Sequence, residues 1–260
     1  MNTDNRTKIN QLLASQPKGT VFLASWLSEN GYSLNLLKSY RKTNWLQSIG
    51  RGAMIRLKDH VNYEGALYTL RNQAGRSIHI GGKTALSHLG KAHYLDLSRS
   101  KVTLFGYGGE KRPTWFKNYN WETKLDYHAS SFLPTDLGLV DMEFKTFSMK
   151  ISGAARAMME CLYLVPEKQP LIECYELMEG LNNLRPKTVQ KLLEECSSIK
   201  VKRLFLYLTE KVGHEWMDYL DMNNIDLGIG KRSIVKNGVY VSKYKITVPK
   251  ELKSLGKSEL

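Results

Sequence analysis

The sequence predicts an α+β fold, in which a small helical unit with one hairpin precedes a larger part that mixes helices and strands. Apolar residues recur at helical spacing three times in the first 45 residues. Two strand-like runs follow, separated by Gly50-Arg51-Gly52. Beyond residue 60, helical and strand-like segments alternate without an internal repeat or a low-complexity linker. We therefore expect a first domain at 1–60, a connecting α/β region at 61–150 that packs with the C-terminal part, and a final domain at 151–260.

Three helices account for most of the first domain. The first spans about residues 4–16, with apolar residues spaced for one face. The second spans about 21–29, with Thr20 as the candidate N-cap. The third spans about 34–45, and Ser33 is its candidate N-cap.

The third helix has an apolar side and a polar side that carries no acid. At about 100° per residue, Leu36, Leu37 and Tyr40 share the apolar side, with Leu34 and Trp45 at its border. The opposite side consists of Asn35, Lys38, Ser39 and Lys42, with Arg41 on the flank. Such a face suits the major groove of DNA, because Asn and Lys reach base edges and Lys neutralises phosphates.

A hairpin follows this helix, with strands at about 46–49 and 53–57 and a tip at Gly50-Arg51-Gly52. Two helices, a basic helix and a hairpin, in that order, form a winged helix-turn-helix, whose wing would place Arg51 on a phosphate or in the minor groove. The predicted DNA-binding residues are Ser33, Asn35, Lys38, Ser39, Arg41, Lys42, Arg51 and Arg56. A winged helix that binds protein is the alternative.

Charge and composition exclude several other classes of protein. The chain carries a net charge of +13 with a pI near 9.5, and the segment Ser33–Lys58 contains no acid. A basic surface attracts phosphate polyanions. The polar N-terminus lacks a signal-peptide core, and Arg156 and Glu160 interrupt the most apolar stretch. For these two reasons we expect no contact with a membrane. The three cysteines lie far apart, so we expect reduced thiols and a cytoplasmic protein.

The patterns that suggest chemistry are weak. Asp126 with the Glu-x-Lys pair Glu143 and Lys145 is compatible with a metal-dependent nuclease, which is the alternative enzymatic function. Gly82-Lys83-Thr84 lacks the glycine that a phosphate-binding loop would require at Ser77. The histidines form no zinc-binding spacing. We therefore expect no enzymatic activity, no cofactor and no metal.

The rest of the chain is predicted in less detail. Helices are expected at about 63–73, 83–89, 151–164, 172–181, 186–196 and 215–220, and strands within 77–82, 94–107, 124–130 and 202–208. Asn237-Gly238 is expected to turn a C-terminal hairpin. The basic and aromatic segment 111–119 either contacts nucleic acid or buries its rings.

Three stretches resemble the AbiEi-type antitoxins of type IV toxin–antitoxin systems, which act in abortive phage infection. The first runs from Val21-Phe22-Leu23-Ala24-Ser25-Trp26-Leu27 through Gly50-Arg51-Gly52-Ala53-Met54-Ile55-Arg56. The second is Ile80-Gly81-Gly82-Lys83-Thr84-Ala85-Leu86-Ser87-His88-Leu89-Gly90, and the third is Ser152-Gly153-Ala154-Ala155-Arg156-Ala157. The likeness covers nearly the whole chain, in order.

The resemblance implies a protein of two functional halves. The N-terminal winged helix would repress the protein's own operon by binding inverted repeats in the promoter. The C-terminal domain would counteract a cognate nucleotidyltransferase-like toxin without forming a stable complex with it. Arg156 is the candidate residue for this antitoxin function. Ala155 stands where the family typically has a charged residue, so the resemblance assigns no further role to that stretch.

Overall fold

A computed structural model describes residues 7–92 and 101–255. The helices are α1 (Lys8–Ala14), α2 (Ala24–Glu29), α3 (Leu34–Lys42), α4 (Tyr63–Ala74), α5 (Gly82–His88), α6 (Thr114–Asn118), α7 (Ala154–Leu164), α8 (Leu171–Glu179), α9 (Pro186–Glu195), α10 (Ile199–Val212) and α11 (Glu251–Ser254). The strands are β1 (Phe22–Leu23), β2 (Leu46–Gly50), β3 (Ala53–Arg56), β4 (His79–Ile80), β5 (Val102–Tyr107), β6 (Leu125–Ser130), β7 (Leu139–Glu143), β8 (Ser148–Ser152), β9 (Arg232–Ser233), β10 (Val239–Val241) and β11 (Ile246–Val248). This mixture confirms the predicted α+β class.

The chain divides into two compact units. The N-terminal unit contains residues 7–78, 109–125 and 141–149. The C-terminal unit contains the described residues of the ranges 79–108, 126–140 and 150–255. The boundaries at residues 60 and 150 stay a prediction about domains.

The N-terminal unit begins with the predicted three helices and hairpin. Its sheet has the strand order β1-β3-β2, and Phe22 lies opposite Met54. Because Phe22 and Leu23 pair with β3, α2 starts at Ala24 and not at the predicted Val21. The residues that form the core beneath α3 are Leu12, Phe22, Leu27, Tyr32, Leu37, Tyr40, Leu46 and Met54.

Later segments of the chain, α4 and α6 among them, also belong to this unit. Trp115 and Phe116 of α6 are buried, and Trp115 lies so close to Gly50 that a side chain at Gly50 would collide with it. Trp115 of the segment 111–119 is therefore buried against the end of β2, next to the hairpin tip. In α4, the Thr69 hydroxyl accepts a hydrogen bond from the backbone N–H of Val21 at 3.0 Å.

The C-terminal unit places β4, β5 and β6 in one sheet, in that order, with α5 packed against both β5 and α7. The predicted strand at 202–208 is wrong, because these residues belong to α10. Both sides of α10 are buried, and even Lys202 and Arg203 are enclosed, so the helix lacks the polar face that would reveal its period. The Ser198 hydroxyl caps its start by accepting from the Val201 N–H.

The predicted hairpin around Asn237-Gly238 is also wrong. β9 and β10 do not pair with each other, since β11 lies between them, antiparallel to β10 and parallel to β9. β11 takes the central position with Ile246 and Val248 buried. The predicted strand region 94–107 is described only from residue 101, and β5 begins at Val102.

Candidate nucleic-acid interface

The polar side of α3 is exposed as the sequence predicts. Leu37 and Tyr40 are buried beneath the helix. The exposed residues on and beside the helix are Ser33, Asn35, Lys38, Ser39, Arg41 and Lys42. The Ser33 hydroxyl also caps the helix by accepting from the Leu36 N–H at 3.2 Å. Ser33 is thus both the N-cap of α3 and an exposed residue at its first turn.

A groove of about 360 Å³ separates α3 from the hairpin formed by β2 and β3. On the helix side it is lined by Leu34, Asn35, Lys38 and Arg41, and on the hairpin side by Ser48, Gly50 and Gly52. Arg41, which the sequence places on the flank, is therefore brought into the groove. Ser39 and Lys42 lie on the exposed side of α3 but do not line it. Among the described residues, Lys38 and Arg41 line this groove and no carboxylate does, so these side chains give it a positive electrostatic potential.

The hairpin tip carries the second part of the predicted interface. Arg51 is exposed between Gly50 and Gly52, and the φ of Gly52 is +76°. Glycine adopts this left-handed conformation without the steric strain that a side chain brings. The tip therefore presents one cation, Arg51, on a tight turn.

Arg56 does not belong to this exposed surface, and the structure corrects that part of the prediction. Its guanidinium donates to the carbonyl oxygens of Leu13, Gln16 and Pro17 and pairs with Asp59 at 3.3 Å. Only 12% of the side chain is exposed. The alternation of side chains along β3 predicted that Arg56 points to solvent. The chain before β1 covers this side of β3, and its backbone carbonyl groups need hydrogen-bond donors, which Arg56 supplies. Arg56 therefore connects parts of the N-terminal unit to one another.

The side chains of α3 and of the hairpin tip have the chemistry needed to bind nucleic acid. Lys38, Arg41, Lys42 and Arg51 can neutralise phosphates, and Asn35 can bond a base edge in the major groove. The N-terminal end of a recognition helix is where such base contacts are made.

Arg156, the candidate from the C-terminal part, is buried in α7 of the C-terminal unit. Its Nε donates to Glu160 at 2.9 Å, and its Nη1 donates to the carbonyls of Pro134 at 2.7 Å and Leu137 at 2.6 Å. The guanidinium of Arg156 therefore donates its hydrogen bonds to groups inside the protein. Arg156 thus bonds α7 to the segment 134–137, and its role in the antitoxin function stays a prediction.

Glu160 is the centre of this buried cluster, although it belongs to none of the motifs from which the site residues were predicted. Besides Arg156, its carboxylate accepts from His79 at 3.1 Å and from the Gly82 N–H at 2.9 Å. The Ser152 hydroxyl lies 2.8 and 2.9 Å from its two oxygens. The sequence does contain a signal for the Arg156–Glu160 ion pair, since the two opposite charges lie four residues apart in an otherwise apolar helix.

The surroundings of Glu160 favour its ionised form. Burial by itself would raise the pKa of the carboxyl. The hydrogen bond and charge of His79, the charge of Arg156 and the Gly82 N–H outweigh burial and hold the pKa below its ordinary value. Gly81 permits the close approach, since a Cβ there would collide with the Glu160 carboxylate. The cluster thus joins two of the stretches that carry the family resemblance, Ile80–Gly90 and Ser152–Ala157.

The residues of the alternative enzymatic site are not brought together within one unit. Asp126 belongs to the C-terminal unit, and the exposed Glu143 and Lys145 belong to the N-terminal unit. Within residues 7–92 and 101–255, no group of three or more His, Cys, Asp or Glu could hold a metal ion. Lys83, from the phosphate-loop-like triplet, pairs with Glu173 at 2.7 Å. No described helix is both long and apolar enough to cross a membrane.

Comparisons with known proteins cover both parts of the chain. Residues 5–97 match the family model described as "Transcriptional regulator, AbiEi antitoxin N-terminal domain". Residues 99–249 match the model described as "Transcriptional regulator, AbiEi antitoxin, Type IV TA system". A comparison with curated protein sequences gives no match.

The fold is also similar to that of a protein of known structure. The RV2827C protein from Mycobacterium tuberculosis superposes with a TM-score of 0.59 at 12% sequence identity. The similarity covers 92% of this chain and 89% of that one. At this identity the likeness concerns the fold, and it extends over nearly all of both chains.

Proposed function

The chain belongs to the AbiEi family of antitoxins and transcriptional regulators of type IV toxin–antitoxin systems, and we propose that it represses its own operon. In this proposal α3 enters the major groove at inverted repeats in the promoter, and Arg51 contacts a phosphate or the minor groove beside it. The observation that supports it is the exposed, acid-free face of α3 beside the groove. The protein would act in the cytoplasm.

Lysine substitutions on α3 test this proposal. With the full-length protein and a labelled duplex from upstream of the operon, we expect Lys38→Ala and Lys42→Ala each to weaken binding. The loss should be about 1–3 kcal/mol where the lysine contacts a base, and less where it contacts only phosphate. Lys187→Ala, at an exposed lysine of α9 in the C-terminal unit, is the matched control. Unchanged binding in both α3 variants would refute the assignment of α3 as the recognition helix.

The salt dependence of binding separates DNA recognition from a protein-binding winged helix. Phosphate contacts release counterions, so the logarithm of affinity should fall against the logarithm of salt concentration with a slope of about one per contact. We expect Arg51→Ala to reduce that slope by about one. A slope near zero for the wild-type protein would favour the protein-binding function.

The second half of the proposal concerns toxin neutralisation. We propose that the C-terminal unit counteracts a cognate nucleotidyltransferase-like toxin without a stable complex between the two proteins. The family membership supports this division, and α3 and the antitoxin candidate Arg156 lie in different units of the chain.

Separation of the two activities in the full-length chain tests this second half. The triple variant Lys38→Ala, Arg41→Ala, Lys42→Ala should lose repression of a promoter reporter. It should still restore growth when the toxin is expressed from an unrelated promoter, and the two proteins should not co-purify. If a folded triple variant no longer restores growth, the proposed division is wrong.

A further inference from the structure

A large apolar side chain is exposed at the N-terminal end of the basic surface of α3. Leu34 has 69% of its surface exposed, whereas Leu37 has 3%. The sequence places Leu34 at the border of the apolar side, yet it is the first residue of α3 and lies beyond the edge of the core. Among the described residues, Leu34 belongs neither to the N-terminal core nor to the apolar residues packed against it.

The neighbours of Leu34 are the residues proposed to bind DNA. At about 100° per residue, Leu34 lies between Arg41 and Lys38 around the helix. It lines the groove together with both of them and with Asn35. Leu34 follows the N-cap Ser33 directly, and the first residues of a recognition helix are those that reach base edges.

We propose that Leu34 determines sequence specificity by packing against the C5-methyl group of a thymine in each half-site. This inference rests on the proposed function of α3. Thymine is the base that presents a methyl group in the major groove, and a side chain without polar atoms can distinguish it only by apolar contact. Asn35 and Lys38 would bond polar base edges on one side of that contact, and Arg41 lies on its other side.

Removal of the methyl group from the DNA and of the side chain from the protein tests the contact directly. Full-length protein is titrated with operator duplexes in which deoxyuridine replaces each thymine in turn, so that only the methyl group is lost. At one position of the half-site, we expect the substitution to weaken wild-type binding about fourfold.

The protein variant should remove the same contact from the other side. Leu34→Ala should weaken binding to the thymine duplex about tenfold. Replacing that thymine by uracil should change the affinity of the Leu34→Ala variant by less than about 1.5-fold. The reason is that the leucine side chain and the thymine methyl group form one contact, which the variant has already lost. Leu57→Ala, at another exposed leucine of the N-terminal unit, should keep the wild-type sensitivity to uracil.

The outcomes distinguish this inference from the proposed function. If no thymine position is sensitive, or if uracil weakens wild-type and Leu34→Ala protein equally, the thymine contact is wrong while promoter binding stands. If the wild-type protein does not bind the operator duplex at all, both are overturned.

Discussion

In α3 the charged side chains face solvent, whereas in α7 they are enclosed within the protein. Lys38 and Lys42 are exposed, but Arg156 and Glu160 are almost fully buried and bonded to each other. Exposed charges contribute little to stability and remain available to a partner. Buried charges are tolerated only when their hydrogen bonds are satisfied, so they commit the chain to one arrangement. The charged side chains of α3 are therefore free to meet a partner, as we propose, whereas those of α7 bond one another inside the protein.

The strongest way to break this comparison is to remove Glu160. Glu160→Ala would leave Arg156 and His79 without their common acceptor in the interior. We expect a loss of about 3–5 kcal/mol in the free energy of unfolding of the full chain, measured by urea denaturation. Glu195→Ala, at an exposed glutamate of α9, should change the stability by less than about 0.5 kcal/mol. If both variants are equally stable, the cluster is not architectural.

Two arginines of the hairpin sharpen the comparison within the N-terminal unit. Arg56→Ala should cost about 2–3 kcal/mol of unfolding free energy, because it leaves buried carbonyl groups without a donor. Arg51→Ala, at the exposed tip, should leave stability within about 0.5 kcal/mol of wild type and weaken promoter binding. Thermal denaturation and a gel shift measure the two effects. The opposite pattern would contradict the structural role of Arg56.

The pH dependence of stability gives the smallest expected effect. The pKa of Glu160 is lowered by folding, so the unfolded chain binds the proton first as the pH falls. Its stabilising contribution should be present above the unfolded pKa of about 4.3 and be lost as the pH falls through the folded pKa. We expect the stability difference between wild type and Glu160→Gln to shrink over this range in urea denaturation. A difference that stays constant with pH would contradict the ionised state of Glu160.

Local patterns predicted the N-terminal unit better than the C-terminal unit. α3 has a full polar face, so its period and its N-cap Ser33 were both visible in the sequence. α10 is buried on both sides, and its run of apolar residues was indistinguishable from a buried strand. The parallel pairing of β9 with β11 joins segments that are not adjacent along the chain, so the local signal at Asn237 could not predict it.

The candidate site follows the same division. The sequence identified the exposed cations of α3 and the tip, because an acid-free amphipathic helix is a local property of the chain. The burial of Arg56, the exposure of Leu34 and the position of Arg41 in the groove depend on which segments cover each face, and the sequence analysis did not predict them.

The sequence by itself determined the fold class, the basic face of α3 and the resemblance to the AbiEi family. All three are recorded in short-range spacing and in the order of elements along the chain. Only the tertiary structure decided that His79 and Gly82 bond Glu160, because they lie 81 and 78 residues from it along the chain. A buried charge must be matched by donors from wherever the fold brings them, and packing alone specifies which donors those are.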